Sequence, residues 1–228
     1  MLITEQNAQA ADNTYTRFLN AAEQLFSIHG YDGTKIRAIV KLSHSNLGVL
    51  SHYWGSKQAL FRDIFERRFR PVYEDQISRF RMLEVKLDRG GYVDVTDVLR
   101  AQIEPVFLMT GSEPDEVQWL RLLFGRALTD PSNEVVDAMG DIFTPAANLF
   151  FQLLRRVSPG IDHTEFYWRA NCVVGAFTFV ENYTERLTKF IDEDLSNVDW
   201  HKASDHVVAF LAAGMQAPPT EENSGKEE

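Results

Sequence analysis

Residues 34–60 read TKIRAIVKLSHSNLGVLSHYWGSKQAL, and this stretch decides the fold. Two short segments of apolar periodicity sit close together in it: Ile36, Ile39 and Val40, then Leu47, Leu50, Tyr53 and Trp54. Between them Ser43-His44-Ser45-Asn46 leaves room only for a tight turn. Asn46 suits the N-cap of the second segment, because its side chain can accept from amide N–H groups that a first helical turn leaves unpaired. Ser56 suits the same role for a helix beginning at Lys57. Two short helices joined by a tight turn, the second polar on its outer face, form the helix-turn-helix pattern, whose second helix enters the DNA major groove.

Upstream of this stretch, Phe18, Ala22, Leu25 and Phe26 share one face of a helix predicted over 14–29. Gly30 reads as its C′ residue and Thr34 as the cap of the next helix. Residues 1–11 are polar and expected to be disordered. Downstream, helices are expected over 57–85, with a kink or break at Pro71, and over 95–109, 114–128, 134–157, 163–190 and 198–215. Thr144-Pro145 is expected to divide the 134–157 helix as cap and first-turn proline. Ser112 with Asp115, and Asp162 with Glu165, read as capping boxes. No repeat and no strand pattern is evident, so the expected class is all-α.

The 163–190 helix is apolar on two sides. Phe166, Ala170, Val173, Phe177 and Val180 form one stripe; Trp168, Cys172, Gly175, Ala176, Phe179 and Tyr183 form another. A helix apolar on two sides is buried on two sides. One side can face the core, and the other needs a partner, most simply a second copy of the chain. The expected homodimer interface is Cys172, Gly175, Ala176, Phe179, Ala203, Val207, Phe210 and Gly214, whose small residues allow close helix approach.

The formal net charge is −10, but its distribution is uneven. Residues 11–70 hold nine Lys/Arg against five Asp/Glu, whereas 71–228 hold 14 against 27. A basic N-terminal module on an acidic body is the asymmetry of a DNA-binding head on a body that does not bind DNA. No apolar run approaches the ~20 residues of a membrane span, and the N-terminus has no signal-peptide pattern. The single cysteine, Cys172, cannot form an internal disulfide, which points to a reducing cytoplasm. No metal-ligand spacing, phosphate loop or nucleophile elbow occurs, so no cofactor, no metal and no enzymatic activity are expected.

From about residue 15 to 65 the chain resembles the DNA-binding domain of the tetracycline-repressor (TetR) family. The residues that carry the likeness are Ala21-Ala22, Leu25-Phe26, Gly30-Tyr31, Thr34, Ile36, Ile39, Gly48, Tyr53, Trp54, Ser56-Lys57 and Leu60. There are departures: His44 stands where Gly is usual, Ser51 where Tyr is frequent, and Trp54 in place of Phe. The resemblance implies a three-helix DNA-binding domain over 12–56 and a helical ligand-binding and dimerisation domain over 57–216, with the fourth helix bridging them and a disordered tail over 217–228. It also implies a ligand-responsive regulator, a repressor released by a small effector, whose partner is a double-stranded DNA operator. The competing expectation is an all-helical small-molecule carrier that no longer binds DNA.

Asn46, Leu47, Gly48, Val49, Ser51 and His52 are the candidates for the DNA face. Gly48 lets the backbone come close, Ser51 and His52 can bond base edges, and Val49 can touch a thymine methyl. Lys57, at a helix N-terminus, is a candidate phosphate ligand, as are Thr34, Lys35 and Tyr53. In the body, Phe107, Trp119, Leu123, Phe124, Phe143 and Phe177 are candidates to line a cavity for an elongated apolar effector, although plain core is the simpler reading of any single one. FYWRANCVVGAF and AFLAAGM also resemble fatty-acid-responsive members of the family, which implies a fatty-acid or acyl-CoA-like effector.

Overall fold

The computed structural model describes residues 2–109, 114–191 and 198–219, and their side chains except those of 2–12, 114–118, 181–189 and 191. Among these residues there are nine α-helices and no strand: α1 (Leu2–Gly33), α2 (Ile36–Leu42), α3 (Leu47–Tyr53), α4 (Lys57–Asp88), α5 (Val95–Phe107), α6 (Pro114–Thr129), α7 (Asn133–Arg156), α8 (His163–Ile191) and α9 (Trp200–Gln216). The all-α class and the helix-turn-helix are therefore present. No described helix is long and apolar enough to cross a membrane. The Ser112–Asp115 capping box, the Tyr183 side chain and residues 220–228 lie outside the described residues.

Three local expectations fail. Helix α1 extends back to Leu2, because residues 2–12 contain Ala8, Ala10 and Ala11 and neither Gly nor Pro, so helical propensity carries on. Helix α4 runs unbroken through Pro71, and α7 through Pro145. Both prolines are exposed, so the carbonyl each deprives of a donor, four residues back, can turn to water.

The chain packs as two compact units: Met1–Tyr73 with Thr110–Thr144, and Glu74–Met109 with Pro145–Glu228. In the first, α1, α2 and α3 pack on one another around Phe18, Leu19, Phe26 and Ile39, all fully buried. Helix α6 packs along α1, and the N-terminal part of α4 meets α1 through Phe61 on Phe26 and α6 through Phe69 on Phe124. Phe69 meets Phe124 at 5.2 Å, and Phe124 meets Phe143 at 5.7 Å. Buried Glu23 of α1 accepts from Arg67 and Arg68 of α4 at 3.2 and 2.8 Å. A carboxylate that deep needs such partners, because an unpaired buried charge is costly.

The second unit is built on α5 and α9. Asp94 and Asp97 form a reciprocal capping box at the start of α5. Its apolar side, Val98, Leu99, Ile103, Val106 and Phe107, is buried in the packing with α9. Asp199 caps α9 by accepting from the amides of His201 and Lys202. At the other end of α9, Arg169 of α8 donates to the carbonyls of Met215, Ala217 and Pro218 at 2.7–2.9 Å. A guanidinium from another helix thus satisfies acceptors that a helix C-terminus leaves open. The stripe Ala170, Val173 and Phe177 of α8 is buried, as its periodicity indicates.

Two backbone positions invite a test. Gly30 (φ 72°, ψ −179°) interrupts α1 in a region that side chains avoid. His44, in the turn before α3, has φ 51° and is the one non-glycine residue with positive φ among the described residues. Gly30→Ala is expected to cost about 1–3 kcal/mol of stability. His44→Gly should be neutral or stabilising by up to about 1 kcal/mol, because relief of the left-handed strain offsets glycine's entropy. Urea midpoints at constant slope would measure both.

Candidate nucleic-acid interface

The residue that ends α3 ties it to both α1 and α4. Trp54, its C-cap, stacks on Tyr15 and Phe18 of α1 with ring centroids 5.0 and 5.4 Å apart. Its indole Nε1–H donates to Asp63 Oδ2 of α4 at 2.7 Å, and the Tyr15 hydroxyl donates to the same oxygen at 2.7 Å. Burial, reinforced by this bond to a carboxylate, pushes the Tyr15 phenol from 10.0 up to about 12. Gly55 turns the chain with φ 75°, and Ser56 caps α4 by accepting from the Ala59 amide at 3.0 Å. Ser56 thus has the role its sequence position indicates.

With α3 held this way, Asn46, Leu47, Gly48, Ser51, His52 and Tyr53 are exposed, Leu47 by 54%. Asn46 is the N-cap residue by position, but its side chain makes no capping bond. Instead its Oδ1 lies over Gly48, where a Cβ would sit 2.9 Å away. Ser43 and Ser45 hydroxyls pair at 2.7 Å and brace the turn.

Three sequence assignments change. Val49 is only 9% exposed, so it does not present its methyls to a groove. It lies on the buried side of α3, between exposed Gly48 and half-buried Leu50. Thr34 is 2% exposed, and its hydroxyl donates to the carbonyls of Leu25 and Gly30 at 3.0 and 2.7 Å. It braces the interrupted end of α1, and the N-cap position of α2 falls to Lys35. The Lys57 ammonium lies over the Tyr31 ring, 4.2 Å from its centroid, half-buried, and burial lowers its pKa. That leaves the first-turn amides of α4, more than the ammonium, to face an anion.

The basic surplus of the head sorts by partner. Arg62 pairs with Asp141, Arg67 and Arg68 with Glu23, and Arg70 with Glu66. Lys35, Arg37 and Lys41 are exposed and pair with no described residue. Arg17 of α1 is likewise exposed with no carboxylate partner among the described residues, and the other uncompensated cations collect on α2 and the residue before it, next to α3. Arg37 and Lys41 were not singled out from the sequence, because only the ion pairs reveal which cations are left over.

The six candidate pocket residues are shared between the two units. Trp119, Leu123, Phe124 and Phe143 belong to the first unit, whereas Phe107 and Phe177 stack on each other at 5.9 Å in the second. Along α4, Glu74, Ile77, Ser78, Arg81, Met82 and Val85 share one open, largely exposed face of that helix. Of the expected dimer residues, Cys172, Gly175, Phe179, Phe210 and Gly214 are exposed, Phe210 by 74%, and Ala176, Ala203 and Val207 are half-buried. Trp168, on the same stripe, is 63% exposed.

Two measurements follow from this geometry. Arg37→Ala and Lys41→Ala are each expected to weaken binding to any duplex and to lower the slope of log affinity against log salt by about 0.9 per phosphate contact. An unchanged slope would remove α2 from the interface. For Tyr15, the folded chain keeps a proton that the unfolded chain loses near pH 10. Its contribution to stability is therefore complete below about pH 10 and is lost as pH rises toward about 12. Tyr15→Phe should flatten that part of the stability profile.

The profile described as bacterial regulatory proteins, tetR family, matches residues 18–64, and that of the tetracyclin repressor-like C-terminal domain matches 100–214. The HTH-type transcriptional repressor NicS of Pseudomonas putida is 40% identical over 84 residues, 37% of this chain and 36% of that protein. The HTH-type transcriptional repressor AcnR of Corynebacterium glutamicum is 27% identical over 122 residues, 52% and 53% of the two chains. The chain thus matches between about a third and about half of these relatives' length. Among solved structures, the fatty acid degradation regulator FadR from Bacillus halodurans superposes with a TM-score of 0.57 at 16% identity, covering 88% of this chain and 98% of that one. A HlyIIR mutant superposes at 0.59 and 16%, covering 89% and 98%. Identities this low speak for the fold alone. The second profile spans half of the sequence, and the helix-turn-helix stands where the first one matches: the chain belongs to the TetR family of bacterial regulatory proteins.

Proposed function

We propose that this protein is a cytoplasmic transcriptional repressor that binds a two-fold symmetric DNA operator as a homodimer and is released by a small apolar effector. The observation that carries this is the exposed outer face of α3, anchored through Trp54 and flanked by the unpaired cations Lys35, Arg37 and Lys41. Phosphate contacts from such cations position a recognition helix, and base contacts from Ser51 and His52 would specify the sequence. NicS and AcnR, both named repressors, support the same reading. A carrier without DNA binding would leave the free cations without a purpose.

Dimerisation is supported by the second face of α8. Trp168, Cys172, Gly175 and Phe179 on α8, with Phe210 and Gly214 on α9, keep an apolar surface exposed. A Cβ at Gly175 or Gly214 would meet nothing within 4 Å, so neither residue is small for the sake of its own chain. Small residues beside large exposed aromatics suit close packing against an identical surface.

The effector reading is supported by the open face of α4. Ile77, Met82 and Val85 offer an apolar wall and Arg81 a cation, which together suit an amphipathic anion of the fatty-acid or acyl-CoA kind. FadR, described as a fatty acid degradation regulator, is in keeping with this. In this scheme residues 12–56 serve DNA and 57–216 serve effector and partner. Helix α4 belongs to both units, so an effector that tilts it would alter the spacing of two recognition helices. A coupling of ~1–3 kcal/mol would weaken DNA binding ~5–150-fold, and operator DNA would weaken effector binding equally.

The test is selection from a pool of random duplexes. The wild type is expected to enrich a two-fold symmetric sequence and to sediment as a dimer at micromolar concentration. Gly175→Arg should keep the helical content, sediment as a monomer and lose the enriched duplex. A monomeric wild type, or a pool that emerges unenriched, would overturn the proposal.

A further inference from the structure

The strongest unassigned feature is the carboxylate at the meeting point of three helices. Donors from two different elements, the Tyr15 hydroxyl of α1 and the Trp54 indole at the end of α3, converge on one oxygen of Asp63 in α4, each at 2.7 Å. We propose that Asp63 is a positioning residue for DNA recognition: by holding Trp54 it fixes the rotation of α3 about its own axis and joins that helix to α4. This rests on the DNA-binding reading above and names how that site is set.

Ring packing alone does not fix the rotation. Tyr15, Phe18 and Trp54 form stacked pairs at interplanar angles of 20° and 23°, and offset-stacked rings can slide with little change in energy. A hydrogen bond to a carboxylate is short, directional and about twice as strong as a neutral one. Together with buried Val49 and the edge contact of Tyr53 on Tyr15 at 5.3 Å, it selects one setting among those that stacking allows. The setting matters because α3 has only seven residues, with inward and outward sides in close succession. A turn by one residue, about 100°, would bring Val49 or Leu50 toward the groove in place of Gly48, Ser51 and His52.

The link also closes the corner between α3 and α4. Trp54 and Asp63 are nine residues apart, with Gly55 and the Ser56 cap between them. With that corner closed, α3 moves with the first turns of α4. A displacement of α4 is then delivered to the recognition helix and not absorbed in the connecting turn. The donor depends on the side chain present: a Phe at position 54, the residue usual in the family, would keep the ring and lose the N–H.

The test uses the full-length protein, the duplex that the wild type enriches from a random pool, and an unrelated duplex of equal length. Trp54→Phe and Asp63→Ala are each expected to weaken binding to the enriched duplex about tenfold. Affinity for the unrelated duplex should stay within about twofold, with an unchanged salt slope, since phosphate contacts do not depend on which side of α3 faces the bases. The double variant should be no weaker than Asp63→Ala alone, because Asp63→Ala, which also releases Tyr15, has already broken the bond that Trp54→Phe removes. Should Asp63→Ala fail to fold, Trp54→Phe decides the matter by itself, since it retains the stacked ring. A specificity ratio equal to the wild type's, or a proportional loss on both duplexes as a folding defect would give, overturns the proposal. Absence of any enrichment by the wild type is seen before a variant is made and would overturn the DNA-binding reading together with this one.

Discussion

One carboxylate oxygen, Asp63 Oδ2, receives both the Tyr15 hydroxyl and the Trp54 indole, and the head of the molecule is arranged around it. One turn further along α4, Arg67 reaches back to α1, where it meets the buried Glu23 together with Arg68. The two latches carry opposite charge on α4: a carboxylate accepting from neutral donors, then guanidiniums donating to a carboxylate. Neither ion is left bare in a half-buried site, which is the condition for keeping charge there at all. Apolar packing of Phe18, Phe26, Phe61 and Phe65 provides cohesion, but it does not dictate angles with the same precision.

That arrangement turns a diffuse sequence property into a surface. Nine basic residues in the first seventy give a positive head, yet those on α4 are largely absorbed internally. What is left free stands at Arg17 of α1 and at Lys35, Arg37 and Lys41, on α2 and just before it, beside the exposed side of α3. In the proposed reading a chain of net charge −10 meets DNA through its basic head, since the acidic surplus falls after residue 70.

Much of this was legible in the residues themselves. The bounds of α3, the Ser56 cap and the buried stripe Ala170, Val173 and Phe177 of α8 follow from period and from cap chemistry, which are local. Val49 was misjudged because a seven-residue helix offers too few positions to fix its inward direction from pattern alone. Thr34 looked like a cap and is instead a brace for α1, a role set by the backbone of Gly30. Pro71 and Pro145 looked like breaks, but their exposed positions let each helix continue. Arg169 could not have been found, since the carbonyls it satisfies belong to residues more than forty positions away. The same limit applies to the pocket: large apolar residues announce burial, and which of them share a cluster is decided by packing.

The claim that Trp54 is tied to Asp63 is open to direct measurement through its indole proton. In a ¹H–¹⁵N spectrum of the intact protein, the Trp54 Nε1–H should exchange with solvent far more slowly than in the urea-unfolded chain, and its resonance should shift when Asp63 is replaced by Asn. An indole proton that exchanges at the unfolded rate, or a resonance indifferent to Asp63→Asn, would contradict the account.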